Sequence, residues 1–167
     1  MEISTEDLLR DWYKRIRFVQ FCHYEAAKVY DRMNYRLGVP VIILSTLAGS
    51  SMFSNIGNIS IDTSMQIAIG LSSLVAASLA SLQTFFRFSE KAEKHRISAS
   101  KYGALRREVE EIMATQGHID QKVVTHLRQK IDLLAEDALH LPNHIWARRQ
   151  DVLKEDEQRA VGLGRKL

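Results

Sequence analysis

Residues 37–86 read LGVPVIILSTLAGSSMFSNIG (37–57), NISIDTS (58–64) and MQIAIGLSSLVAASLASLQTFF (65–86), and they hold one charged side chain, Asp62. Wound as α-helices, the two apolar stretches are each about 30 Å long, the thickness of a bilayer's hydrocarbon core. The segment between them is short and polar enough to turn at the far surface. Two consecutive uncharged stretches of this length argue against a pair of buried helices in a soluble domain. The pattern therefore predicts a transmembrane hairpin.

Averages over the whole chain hide this. The 167 residues are 46% hydrophobic and 26% charged, with a net charge of +3 and a mean hydropathy of −0.18, values typical of a soluble domain. The charge sits almost entirely outside the hairpin: residues 1–36 carry seven Lys/Arg and six Asp/Glu, and residues 87–167 carry sixteen and thirteen. Thirty-six mostly polar residues ahead of the first apolar stretch make a cleaved signal peptide an unsuitable reading.

Orientation follows from the flanking cations. Lys28, Arg32 and Arg36 precede the first span, and Arg87, Lys91, Lys94, Arg96 and Lys101 follow the second, while the connector has no cation. Eight against none places both termini in the cytoplasm and the connector outside, in a multi-pass protein of the cell (inner) membrane. The lone thiol, Cys22, then lies in a reducing compartment.

Apolar residues continue at steps of three and four on both sides of the hairpin. Ser4 and Asp7 form a capping pattern. Trp12, Ile16, Val19, Cys22 or His23, Ala26, Tyr30, Met33 and Leu37 follow with no Gly or Pro before Gly38, so one helix over about 5–36 runs into the membrane, with Pro40 near the start of the span, where a kink is cheapest. Phe88, Ala92, His95, Ala99, Tyr102, Leu105, Val109 and Ile112 mark a second arm over about 87–116, ended by Gly117. Asp120 is the expected N-cap of a further cytoplasmic helix over about 120–140, with Val123, Val124, Leu127, Ile131, Leu134 and Ala138 on one side. Pro142 ends it, and Leu141, Ile145 and Trp146 form an apolar clip. Residues 151–167 read as a charged tail. The expected fold class is thus an all-α membrane protein: a two-transmembrane helical hairpin extended by a long cytoplasmic antiparallel stalk, plus a third cytoplasmic helix, forming one domain over 1–150.

Folding back near residue 60–61 would bring together residues whose numbers add to about 121. Asp31 with Lys91, Arg32 with Glu90, and Lys28 with Glu93 then meet as opposite charges, and His23 lies level with His95. Ion pairs of this kind are worth about 0–1 kcal/mol and serve here as marks of register.

Catalytic signatures are lacking. There is no G-x-S-x-G, phosphate loop, H-E-x-x-H or D-x-D pattern, so no enzyme is expected. A single cysteine excludes a disulfide within the chain or a zinc–thiolate cluster, and the mild basic excess falls short of a nucleic-acid-binding signature. His23 and His95 lie on apolar stripes, as packing histidines do.

The second span carries rows of small residues: Ser72, Ala76 and Ala80, beside Ser73, Ala77 and Ser81. Ser45 and Gly49 make a shorter row on the first span. Small residues let helices approach closely in lipid. These rows, with the polar Gln66 and Gln83, either pack the hairpin and its oligomer or, in an oligomer, turn toward a water-filled pore. The lack of intramembrane charge argues against a proton relay or voltage sensor.

Several motifs resemble a known family. Trp12-Tyr13-Lys14-Arg15, His23, Tyr30 and NYRLGVPVIILS (34–45) precede and enter the first span. After the second, HRISASKYGALRREVE (95–110) resembles the pattern H-x-x-x-A-x-x-Y-x-x-L-x-R-x-x-E, with His95, Ala99, Tyr102, Leu105 and Arg107 in place, and Pro142 to Trp146 follows. Over residues 8–150 the chain resembles SLATT-domain proteins, two-transmembrane effectors associated with nucleotide-signalling prokaryotic defence systems, here without a fused sensor or enzyme domain. The resemblance implies a homo-oligomeric effector that permeabilises the host membrane when a cyclic oligonucleotide, or a nucleotide-synthase or sensor partner, triggers or releases it. Candidate ligand contacts are His95, Arg96, Tyr102, Arg106, Arg107, Arg148 and Arg149; the same cations also suit a solvated face near anionic headgroups. A non-conducting anchor that recruits a cytoplasmic partner and a small housekeeping ion channel are the alternatives. No cofactor or metal is expected.

Overall fold

The computed structural model describes residues 4–54, 62–115 and 119–147. Its elements are all helical: α1 (Thr5–Ser54), α2 (Thr63–Phe86), α3 (Phe88–Ala114) and α4 (Gln121–Asp137). They divide into two compact units, one of Val29–Lys91 and one of Met1–Lys28 with Ala92–Leu167. Residues 58–61 of the expected connector, Gly117, Arg148, Arg149 and the tail 151–167 lie outside the described residues.

In the first unit, α1 and α2 are long and apolar enough to cross a membrane. Neither is sheltered as a soluble core helix would be. Among the described residues of the two spans only Ala76 is buried, while Ile42, Leu47, Phe53, Ile67, Leu74 and Phe85 present their side chains outward. Apolar surface this extensive has no stable place in water but matches lipid tails.

Several hydroxyls in the spans are satisfied by their own helix backbone, as lipid favours. Thr46 donates to the Ile42 carbonyl, Ser51 to Leu47, Ser78 to Leu74 and Thr84 to Ala80, at 2.7–3.0 Å. Pro40 lies inside α1 without ending it. The interruption falls elsewhere, at Arg87. This residue adopts a left-handed conformation (φ 50°), and its N–H closes α2 on the Gln83 carbonyl. An arm starting at 87 is therefore an arm starting at Phe88.

In the second unit Ser4 caps α1: its hydroxyl accepts from the Asp7 N–H at 3.1 Å and donates to the Asp7 carboxylate. Leu9, Ile16, Tyr102, Leu105, Val109 and Leu127 form the core, with Trp12, Tyr13, Val19, Ile131 and Leu134 packed against it. The stripe on α3 buries Ala92, His95, Ala99, Tyr102, Leu105 and Val109, at the spacing of one helix face, and adds Ser98 and Gly103. On α1 the stripe begins one turn earlier than Trp12, with the fully buried Leu9. Cys22 is fully buried in this unit.

Asp120 caps α4 by accepting from the Lys122 N–H at 3.0 Å. Buried Val124 and Leu127, and the pairs Lys130–Glu108 (2.6 Å) and Lys101–Asp137 (2.5 Å), hold this helix. Val123 is exposed instead of joining the buried side. α4 stops at Asp137 rather than near 140, and Pro142 starts a helical turn by accepting from the Ile145 and Trp146 N–H groups.

Three of the residues expected to pair between arms, Lys28, Glu90 and Glu93, pair within their own arm instead. Lys28 binds Glu25, Glu93 binds Arg96 and Glu90 binds Arg87, each three positions apart. Neighbours at this spacing are always within reach on a helix, whereas a cross-helix pair must order two long side chains in solvent. Lys91 lies over the rings of Tyr30 and Phe88 at 6.0 and 5.9 Å. Register is carried by other contacts: Asn34 meets Gln83, Tyr30 meets Phe88 and His23 meets His95.

Candidate functional site

Two places concentrate the residues of interest, one in each unit. In the membrane unit, Val41, Ser45, Ala48, Gly49 and Met52 of α1 and Ile69, Ser73, Ala76, Ala77 and Ala80 of α2 line a cleft of about 440 Å³. The cleft exists because both helices carry small side chains at the same level.

Of the residues expected to line a pore or pack an oligomer, Ser73, Ala76, Ala77 and Ala80 come together here. Ser72 and Ser81 turn to their own backbone, donating to the Ile69 and Ala77 carbonyls at 2.9 and 2.8 Å. Gln83 is drawn to the facing helix, where its Nε2 donates to Asn34 Oδ1 at 2.9 Å. Gly38 makes room for it, since a Cβ there would lie 3.1 Å from Gln83 Nε2. Gln66 is exposed in the first turn of α2.

In the arm unit a buried histidine pair adjoins a cavity. His23 and His95 are 1% and 0% exposed, and their Nδ1 atoms lie 2.9 Å apart. One ring must donate and the other accept, and burial favours the neutral form of both. Burial, reinforced by the neighbouring His95, lowers the His23 pKa to about 4. Burial also lowers that of His95 and raises that of Tyr102. The Tyr102 ring stacks on His23 with centroids 5.5 Å apart.

The adjoining cavity, about 450 Å³, is walled by Val19 and His23 of α1, Tyr102 of α3, and Ala135, Ala138, Leu139, His140, Leu141, Asn143 and Trp146. Trp146 stands edge-on to Phe18 with centroids 4.6 Å apart, which fixes the clip to α1.

The ligand candidates separate accordingly. His95 and Tyr102 are buried beside His23. Arg96 is exposed and bound to Glu93, and Arg106 lies 3.7 Å from Glu110. Arg107 brings its guanidinium beside Gly103, where a Cβ would lie 3.9 Å from Nη1. None of these arginines lines the cavity. His140 and Asn143 do, and their signal in the sequence is the interleaving of polar rings and amide with apolar residues in LHLPNHIW (139–146). Among the described residues no group of three His, Cys, Asp or Glu side chains could hold a metal ion.

Two outward-facing apolar helices, joined to buried helical arms, define a helical membrane protein with two spans. Comparison with family profiles gives the particular relationship: the chain belongs to the SMODS and SLOG-associating 2TM effector domain family 4, which matches residues 5–144. No curated protein and no solved structure matches it.

Proposed function

We propose that this protein is a non-catalytic membrane effector of a nucleotide-linked antiviral defence system. In this reading it assembles as a homo-oligomer in the cell (inner) membrane, with both termini in the cytoplasm. A cyclic oligonucleotide signal, or a nucleotide-synthase or sensor partner, triggers or releases it to form a pore or otherwise disrupt the host membrane. The family's SMODS and SLOG association and effector designation support that context.

The observation that carries the membrane part is the small-residue cleft of the hairpin, open among otherwise bulky apolar side chains. Two helices enclose no lumen, so conduction needs several chains, and small surfaces are where helices pack closely in lipid. α1 runs from Thr5 to Ser54, so a change in packing around its N-terminal half falls on the helix that also supplies the first span. A trigger works by binding one packing better than the other.

Dye release from liposomes containing the full chain tests this reading. Triggered or overloaded protein releases dye, and cells expressing it depolarise. Sealed liposomes with the hairpin inserted, under conditions that activate the system, reject pore formation and favour the anchor. Regular, selective single-channel currents that need no trigger favour a housekeeping channel.

A further inference from the structure

We propose that the arm cavity is a binding site for a planar, uncharged heteroaromatic ring, and that His23 reads the ring's hydrogen-bonding edge. Only a base of the cyclic oligonucleotide of the preceding section would enter, its phosphates staying outside, so the consequence of binding rests on that reading although the binding itself does not.

Size and lining point the same way. A cavity of about 450 Å³ lies within the range of small-molecule sites, which combine apolar and aromatic walls with a few polar groups. Four of its walls are rings: His23, Tyr102, His140 and Trp146. Among the described residues no Asp, Glu, Lys or Arg lines it, so a ligand's charge would enter without a counter-ion from these walls, at a desolvation cost that they do not offset. A flat neutral ring meets no such cost and gains stacking area.

The rings are held before any ligand arrives. Tyr102 is stacked on His23, and Trp146 is braced by Phe18. Such preorganisation reduces the ordering lost on binding. Asn143 supplies an amide NH2 donor group and a carbonyl acceptor from an exposed position.

His23 adds a reader. Its Nδ1 is committed to His95, which leaves Nε2 as the only polar atom that it can offer a ligand. In a neutral imidazole one nitrogen carries the hydrogen and the other a lone pair. A ligand acceptor at Nε2 therefore requires His23 Nε2–H, and His23 Nδ1 must then accept from His95 Nδ1–H. A ligand donor demands the reverse. The edge presented in the cavity thus sets the tautomer of both histidines, and carries its identity one residue deeper into the packing between α1 and α3.

The test uses the full chain in nanodiscs, with Trp12→Phe so that Trp146 is the sole indole. Adenosine, guanosine, cytidine and uridine serve as uncharged heteroaromatic probes, and inorganic phosphate as the charged control. At least one nucleoside should change Trp146 emission saturably, and phosphate should not. Asn143→Ala, at an exposed position, should weaken binding about tenfold, as loss of one good hydrogen bond does. Nitrogen NMR of labelled histidine should show the His23–His95 pair collapsing to one tautomer on binding. Absence of saturable binding by all four nucleosides at millimolar concentration overturns the site, as does binding that is unchanged in both Asn143→Ala and His23→Phe. Ring binding to a protein whose liposomes stay sealed upholds the site and removes the pore. Leakage without ring binding does the opposite.

Discussion

His23 and His95, 72 positions apart in sequence, hold their Nδ1 atoms 2.9 Å from each other in the buried interior of the arm unit. Two like ionisable groups at this distance cannot both be charged, and burial penalises even one charge. The unfolded chain's histidine takes up a proton near 6.5, whereas folded His23 resists protonation to about 4. Between those values the unfolded state binds more protons, so stability falls as pH falls through the window. The contribution of neutral His23 is complete above about pH 6.5 and gone below about 4, about 3 kcal/mol in all. Helix melting followed by circular dichroism in detergent should show the loss. A melting temperature that stays flat across the window rules out a buried neutral pair.

Gly103 makes a different test of the same interface. A Cβ at this position would lie 2.7 Å from Gln20 Nε2, but Nε2 is the end of a flexible side chain whose buried Oε1 has no hydrogen-bond partner. Swinging it aside sacrifices no bond, and alanine gains about 1 kcal/mol of helix propensity over glycine. Gly103→Ala should therefore stay within about 1 kcal/mol of the parent protein, while Gly103→Leu should lose about 1–3 kcal/mol by overpacking. Denaturant midpoints separate the two. An alanine variant as damaged as the leucine variant would mean that Gln20 cannot move.

These contrasts show which features the sequence carries legibly. The hairpin is readable because missing charge is a property of a continuous stretch, and the α3 face because its buried residues recur every three or four positions. Ion-pair register is not readable. Glu93 has Arg96 beside it on its own helix, so a distant Lys28 has no advantage that spacing could reveal. Leu9 is hidden for a similar reason, lying just past a first turn that a capping pattern marks as polar. The cavity is harder still. Val19, Tyr102 and Asn143 share it because the chain turns back after α4, and no periodicity records where a turn will bring three separate segments.

The membrane hairpin has its own polar clasp, Gln83 Nε2 to Asn34 Oδ1. Hydrogen bonds between membrane helices average about 0.6 kcal/mol and reach about 1.7. A double-mutant cycle with Gln83→Leu and Asn34→Leu should return a coupling in that range, read from denaturation in mixed micelles. Zero coupling would place the two side chains apart in the bilayer.

α4 is held by apolar burial more than by its ion pairs. Leu127 is 1% exposed within the core, so Leu127→Ala should cost about 2–5 kcal/mol. Asp137 pairs with Lys101, and the hydrogen bond from that lysine holds its carboxyl below the usual range, yet the carboxylate stands in solvent, where exposed pairs contribute little. Asp137→Asn should leave the midpoint of unfolding unchanged within error. Hydrogen exchange along residues 121–137 checks both: faster exchange in Asp137→Asn than in Leu127→Ala would reverse this ranking.

The cleft between α1 and α2 gives the sharpest test of assembly. Ser73 and Ala77 line it beside Ser45 and Gly49, and leucine at both positions would fill space that a neighbouring helix needs for close approach. The added methyl groups face lipid or the cleft, both apolar, so hairpin insertion itself should survive the change. Association between chains should weaken by about tenfold or more, the effect of losing a little over 1 kcal/mol of packing, and dye release from liposomes should fall in parallel. Fluorescence energy transfer between labelled copies reports the association independently of leakage. If transfer and leakage both persist in Ser73→Leu/Ala77→Leu, copies of the chain meet through another surface. Persistent transfer with abolished leakage would assign the cleft to the conducting state alone, since the assembled chains would then lack only the close helix packing that opens a path.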